Sequence, residues 1–97
     1  MTPARAAQYL RNAAGQGEPE AQYVLGVMFV EGRGVPQDLV EAYKWFAVAS
    51  VRASGEKVEK CARQRDAVAE KLPPTQLAAG QKQAQEWLAA FEKRKKQ

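Results

Sequence analysis

The sequence predicts an all-α protein, an α/α superhelix of about five antiparallel helices in which the last helix caps the array. Apolar residues recur at helical spacing in five segments, and a pattern of alanines and aromatics occurs nearly twice, about 36 residues apart. The corresponding residues are Ala6, Tyr9, Leu10 and Ala13 in the first copy and Ala42, Trp45, Phe46 and Ala49 in the second. Repeats of this length are typical of stacked helical hairpins.

The first two helices are predicted over residues 3–15 and 19–31. Pro3 stands in the first turn of the first helix, where its missing amide hydrogen costs little. The predicted buried stripes are Ala6, Tyr9, Leu10 and Ala13 in the first helix, and Ala21, Val24, Leu25, Met28 and Phe29 in the second. Gly26 interrupts the second helix at a cost of about 1 kcal/mol relative to alanine. Close approach of a neighbouring helix would explain this glycine, and a merely tolerated glycine is the alternative.

The segment EGRGVPQD, residues 31–38, is predicted to be the turn between the second and third helices. Gly32 and Gly34 adopt positive φ at little cost. Asp38 is suited to cap the third helix, with Glu41 three residues later. The two glycines resemble a phosphate-binding loop only superficially, because the preceding strand and the Lys-Ser/Thr ending are missing. The loop therefore predicts no nucleotide site.

Three further helices are predicted over residues 39–53, 56–72 and 74–93, with two prolines ending the fourth. The apolar residues of the third helix are Leu39, Ala42, Tyr43, Phe46, Ala49 and Ala53, extended by Trp45, Val48 and Val51. Because apolar residues cover more than one side of this helix, we predict that it is an inner helix that contacts several neighbours. The fourth helix uses Val58, Cys61, Ala62, Val68, Ala69 and Leu72, and the fifth uses Leu77, Ala84, Leu88 and Phe91 with Trp87 beside them. The polar outer face of the fifth helix is typical of a cap.

A set of spaced residues follows a family pattern of a glycine, Ala-Gln, Leu-Gly, an aromatic, G-x-G-V, Gln-Asp, Ala and Trp. They are Gly17, Ala21, Gln22, Leu25, Gly26, Phe29, Gly32, Gly34, Val35, Gln37, Asp38, Ala42 and Trp45. On these residues the stretch 14–50 resembles one full Sel-one-like repeat, a relative of the tetratricopeptide repeat. Residues 3–16 resemble the second helix of a preceding repeat, and the chain from residue 62 resembles the degenerate last repeat of many bacterial members. The resemblance implies an α/α superhelix that binds proteins or peptides.

Chain length and these similarities predict one domain over residues 1–97. Within it we expect a half repeat over 3–17, a full repeat over 18–53, and a divergent last repeat with its capping helix over 54–97.

Composition argues against several kinds of site. The chain has no histidine and a single cysteine, Cys61, so it offers no zinc-ligand spacing and no internal disulfide. Cys61 lies on an apolar stripe and is expected to be a buried, inert thiol. We predict no catalytic, cofactor-binding or metal-binding residue. Neither a membrane span nor a signal peptide is visible, so we expect a cytoplasmic location, with export left open if the natural chain begins earlier.

The net charge of +4 is confined to the end of the chain, where Lys93, Arg94, Lys95 and Lys96 account for the whole excess. Such a run at the end of a helix is usually a solvated terminus that complements the helix dipole. Binding of nucleic acid or an anionic surface through this tail is the alternative function. We expect it less than protein binding, because nucleic-acid binders generally spread basic residues over a face.

The sequence favours a non-enzymatic scaffold that presents a surface to a protein or peptide partner, without a small-molecule substrate. The candidate partner-binding residues are Tyr23, Arg33, Tyr43 and Lys44. A hydrolase is the third hypothesis, and its acid and base would have to come from Glu18 with Glu20 or Glu56 with Glu59. Both pairs lie at helix starts, where acidic residues are expected for dipole reasons.

The first helix resembles the second half of a hairpin, so its face around Tyr9 and Leu10 is predicted to lack a covering helix. Exposed apolar patches of this kind tend to find partners. A homodimer through this helix and pairing with an upstream segment are two possibilities, and folding of the first helix back over its neighbours is a third.

Overall fold

A computed structural model describes residues 1–95 and contains five α-helices. They are α1 (Pro3–Gly15), α2 (Pro19–Glu31), α3 (Leu39–Arg52), α4 (Glu56–Ala69) and α5 (Pro74–Lys95). The all-α prediction and the order of the helices are confirmed. The fourth helix ends three residues earlier than predicted, because the chain tightens into a turn in which Leu72 donates its amide to Ala69. The fifth runs two residues further than predicted, to Lys95.

Side chains and glycines at the helix ends set these boundaries. Thr2 caps α1 by accepting a hydrogen bond from the Arg5 amide at 3.2 Å. Asp38 caps α3 as predicted, since its Oδ1 accepts from the amides of Val40 and Glu41, both at 3.1 Å. Gly32 ends α2 in the left-handed conformation, with φ +66°, and donates to the Met28 carbonyl. The glycine loop therefore serves as a turn.

Helix α3 lies at the centre of the molecule and packs against α2, α4 and α5. This confirms the prediction of an inner helix. Its buried residues are Ala42, Tyr43, Trp45, Phe46, Val48, Ala49 and Ser50. Gly26 faces the Phe46 ring so closely that a Cβ at position 26 would lie 2.7 Å from Phe46 Cε1. Close approach of a neighbouring helix, as predicted, is therefore the reason for this glycine.

A polar side chain that the apolar pattern missed lies at the junction of α1 and α2. Gln22 is fully buried, and its Nε2 donates to the Ala14 carbonyl at 3.0 Å. The Gln22 Oε1 has no hydrogen-bond partner within the described chain. The glutamine thus ties the start of α2 to the end of α1.

Four predicted core residues are exposed instead. Tyr9 is 66%, Val24 42%, Val51 65% and Val58 37% exposed. Helix α1 turns Ala7 and Ala14 toward the core, so the predicted stripe around Tyr9 lies beside the buried face. Helical spacing identified these residues as apolar but could not say which of them a neighbouring helix covers.

Helix α5 packs along α3 and reaches the turn between α1 and α2. The rings of Trp45 and Trp87 meet edge to face at 5.7 Å, and Trp87 stacks on Phe91 at 5.0 Å. The Phe91 ring lies against Gly17, where a Cβ would be 2.5 Å from Cζ of the ring. Arg52 of α3 also contacts this turn, because its Nε donates to the Gly17 carbonyl at 2.7 Å.

Candidate functional site

A groove opens between α2 and α4. We call it the α2–α4 groove. Its volume is about 270 Å³, and it is lined by Pro19, Glu20, Tyr23, Val24, Ala53, Lys57, Lys60 and Cys61. The exposed fraction of Val24 is unusual for a valine in a helix that packs on two neighbours. The floor of the groove is apolar, and its charged side chains come from Glu20 and α4.

Tyr23 is the aromatic residue of this groove. Its ring packs against Phe46 at 5.5 Å between centroids, so one face belongs to the core. The Lys60 ammonium lies 4.7 Å from the centroid of the same ring. Such a cation–π contact at an exposed site contributes about 0.5–1 kcal/mol. Tyr23 thus contacts both the core and a lysine of α4.

An ion pair bridges the two helices at the rim of the groove. Lys57 Nζ lies 2.7 Å from Glu20 Oε1. This hydrogen bond and the accompanying charge attraction lower the pKa of the Glu20 carboxyl and raise the pKa of the Lys57 ammonium. Both side chains are exposed, so the pair adds little stability. It sets the orientation of two charges on the rim.

Cys61 forms part of the groove floor but is only 3% exposed. Burial raises the pKa of its thiol, which keeps it protonated near neutral pH. The expected buried thiol is therefore found, and its environment disfavours the thiolate that a nucleophile requires.

The four residues predicted to bind a partner do not form one site. Tyr23 lies in the α2–α4 groove, whereas Arg33 is exposed in the loop after α2. Tyr43 is 7% exposed, and its ring packs against Gly80 of α5, so it belongs to the core and presents no open surface. Lys44 is half-buried, 3.7 Å from Glu41 Oε1 and 4.5 Å from the centroid of the Trp45 ring.

A second groove lies beside the first, between α1 and α2, and we call it the α1–α2 groove. Its volume is about 600 Å³, and it is lined by Tyr9, Leu10, Ala13, Gln16, Glu18, Glu20, Ala21 and Val24. Glu20 and Val24 border both grooves, so the outer side of α2 separates two adjoining depressions. An uncovered face at Tyr9 and Leu10 was one of the alternatives that the sequence left open; Tyr9 is exposed and Leu10 is half-buried.

Comparison with protein-family models identifies the repeat. The model of the Sel1 repeat matches residues 3–18 and 19–50. The chain is a Sel1-repeat protein. Sel1 repeats are generally protein-interaction modules, and the family is typically a non-catalytic scaffold. Neither the curated proteins nor the solved structures contain a match to this chain.

The residues that follow the Sel1-repeat pattern are packing residues in this structure. Gly26 makes room for Phe46, Gln22 joins two helices, and Gly17 makes room for Phe91. Gly34 has φ +79° and lies so close to the Pro3 carbonyl that a side chain would overlap it. In this Sel1 repeat the pattern therefore specifies packing between helices, while the grooves are lined mainly by residues outside it.

One carboxylate of each pair considered for hydrolysis forms an ion pair in this Sel1-repeat protein. Glu20 pairs with Lys57, and Glu59 pairs with Arg63 at 2.7 Å. Within residues 1–95 no group of three or more Cys, Asp or Glu side chains could hold a metal ion. No helix in that part of the chain is long and apolar enough to cross a membrane.

The basic tail is partly folded onto the protein. Arg94 donates to the Gly15 carbonyl at 3.1 Å and lies 5.4 Å from the centroid of the Phe91 ring, and the Lys95 ammonium is 5.9 Å from the same centroid. Lys96 lies outside the described residues. Arg94 therefore contacts the turn after α1, whereas Lys95 is exposed and lies near a ring of its own helix.

Sequence reasoning missed Val24, Lys57 and Lys60 as groove residues. Val24 fits the apolar stripe of α2, and spacing alone therefore assigns it to the core. Lys57 and Lys60 are three positions apart, so the sequence does indicate that they share one face of α4 and make it basic. That α2 lies opposite this face depends on the tertiary packing.

Proposed function

We propose that this Sel1-repeat protein is a non-catalytic interaction module that binds a segment of a partner protein in the α2–α4 groove. The observation that carries the proposal is the groove itself, in which the exposed Val24 and the ring of Tyr23 lie beside Lys60. Apolar side chains of a partner would bury this floor. The lysine would pair with an acidic group or the carboxyl end of the bound segment.

The geometry supports a peptide more than a small ligand. The groove is shallow and continues past Val24 into the α1–α2 groove, so it suits an extended or helical segment. Aromatic and basic anchors surrounded by apolar contacts are typical of binding hot spots. The role proposed here needs no cofactor and no reaction of the bound segment.

The proposal is tested by affinity purification with the wild-type chain and with Val24→Glu. The matched control is Val51→Glu, which places the same charge on an exposed valine of α3. We expect specific partners to be lost with Val24→Glu and retained with Val51→Glu. Retention of the same partners by both variants would move the binding site elsewhere.

A charge-matched pair of variants tests the role of the lysine. Lys60→Glu reverses a charge in the groove, whereas Lys71→Glu reverses an exposed charge that does not line it. Binding of the partner recovered above is expected to weaken only with Lys60→Glu. A further arm reverses Arg33 and Lys44. Loss of the partner in that arm alone would place the binding face on the side of these two residues.

A further inference from the structure

We propose that the uncovered face of α1 pairs with α1 of a second copy of this chain, antiparallel and related by a two-fold axis. The face consists of Ala6, Tyr9, Leu10 and Ala13. It borders the α1–α2 groove, which adjoins the α2–α4 groove at Glu20 and Val24. The dimer is measured on the purified chain alone, so its test does not depend on the peptide-binding role.

The internal repeat shows that α1 lacks a covering helix. Leu10 corresponds to Phe46 of α3, which is fully buried because Gly26 of α2 lies against its ring. Tyr9 corresponds to Trp45, which is 7% exposed, yet Tyr9 itself is 66% exposed. The position of Tyr9 is thus closed in α3 and open in α1, whereas Leu10, Ala6 and Ala13 are half-buried against the core. The α1–α2 groove, of about 600 Å³, occupies this open side.

The open face is self-complementary. Ala6 and Ala13 lie at equal distances along the helix from the midpoint between Tyr9 and Leu10. An antiparallel pair with its two-fold axis at this midpoint places Tyr9 against Leu10 of the partner subunit, and Ala6 against Ala13 of the partner subunit. Small residues then lie on both sides of the large ones, an arrangement that lets two helices interdigitate. The same patch serves both copies, as an isologous interface requires.

The charges select the antiparallel direction. Arg5 lies near the start of α1, whereas Glu18 and Glu20, at the other end, line the α1–α2 groove, and none of the lining residues is basic. Antiparallel pairing brings Arg5 of each copy toward the acidic end of the other. A parallel pair would bring the two Arg5 side chains together. Arg11, the other charge of α1, is exposed, and its guanidinium lies 5.5 Å from the centroid of the Phe29 ring.

Sedimentation equilibrium of the purified chain, from low micromolar to near-millimolar concentration, tests the proposal. We expect a monomer–dimer equilibrium that Tyr9→Glu shifts to monomer and that the equally exposed control Val51→Glu leaves unchanged. Far-UV circular dichroism verifies that both variants fold. A wild-type monomer at every concentration, or equal effects of the two variants, would overturn the proposal.

A charge exchange tests the orientation. Arg5→Glu and Glu18→Lys are each expected to raise the dimer dissociation constant roughly tenfold, and the double variant to restore it. Arg5→Gln removes the Arg5 charge without reversing it, so tighter association of Arg5→Gln than of the wild type would indicate a parallel pair and contradict the antiparallel arrangement. Because these measurements use the purified chain, their failure leaves the partner-binding result unaffected, and the reverse also holds.

Discussion

Gly26 of α2 and Phe46 of α3 are in direct contact, with the ring edge where a side chain at position 26 would begin. Phe46 is fully buried. The contact between α2 and α3 at this point therefore depends on the absence of a Cβ atom at position 26.

Gly26→Val is expected to destabilise the protein by about 3 kcal/mol, because overpacking forces the helices apart. Urea unfolding measures the change. The matched control is Gly15→Val, since a Cβ at position 15 meets nothing within 4 Å. Equal stability of the two variants would contradict the close contact.

Gln22→Glu is expected to cost about 3 kcal/mol, because it removes the donor to the Ala14 carbonyl and buries a charge without a partner. Gln22→Met keeps the size of the side chain and also removes the unpaired Oε1, so its cost should be much smaller. Thermal unfolding of the two variants gives the comparison. A similar loss in both would mean that the hydrogen bond to the Ala14 carbonyl, which both variants lose, matters more than the buried charge.

Phe91→Ala is expected to destabilise the protein by about 3 kcal/mol, since Phe91 stacks on Trp87 and packs against Gly17. Loss of the ring also exposes Trp87, so tryptophan emission should shift to longer wavelength. Ala89→Ser changes an exposed position of the same helix and should leave both readouts unchanged. Unaltered emission in Phe91→Ala would argue against the stacked arrangement.

Because of the ion pair between Glu20 and Lys57, any contribution of Glu20 to the stability of the folded state should decrease as the pH falls. The pKa of Glu20 is lowered in the folded state by its hydrogen bond to Lys57, so any stability it adds is present above the unfolded pKa of the carboxyl. That stability is lost as the pH falls through the folded value. In an NMR titration, Lys57→Met should raise the pKa of Glu20 toward its ordinary value, whereas Arg63→Met, which removes a different ion pair, should not.

The helices were predictable because their ends carry local signals. Asp38, Gly32 and the prolines act within a few residues of themselves, so their effect does not depend on the tertiary structure. Gly26 was also informative, because a glycine inside an apolar helix requires a packing reason. The end of α4 was harder to predict, because its last turn tightens gradually and no capping side chain marks where it stops.

The surface was harder to predict, because exposure depends on which neighbours a helix has. Tyr43 and Trp45 lie on an inner helix that is covered on several sides, and spacing could not show that Tyr43 is buried. Tyr9 occupies the same repeat position as Trp45, yet it is open because no helix precedes α1 in the described chain. The division of the chain into a half, a full and a divergent repeat remains a prediction.

Arg94 and Gly15 are separated by 79 positions but share a hydrogen bond. In an extended repeat array each unit contacts only its neighbours, so such arrays can melt progressively from one end. Here α5 contacts the turn between α1 and α2 through Arg94 and Phe91, so α5 cannot unfold without losing contacts with the first two helices. The consequence is cooperativity: the five helices should unfold as one thermodynamic unit despite their repeat origin.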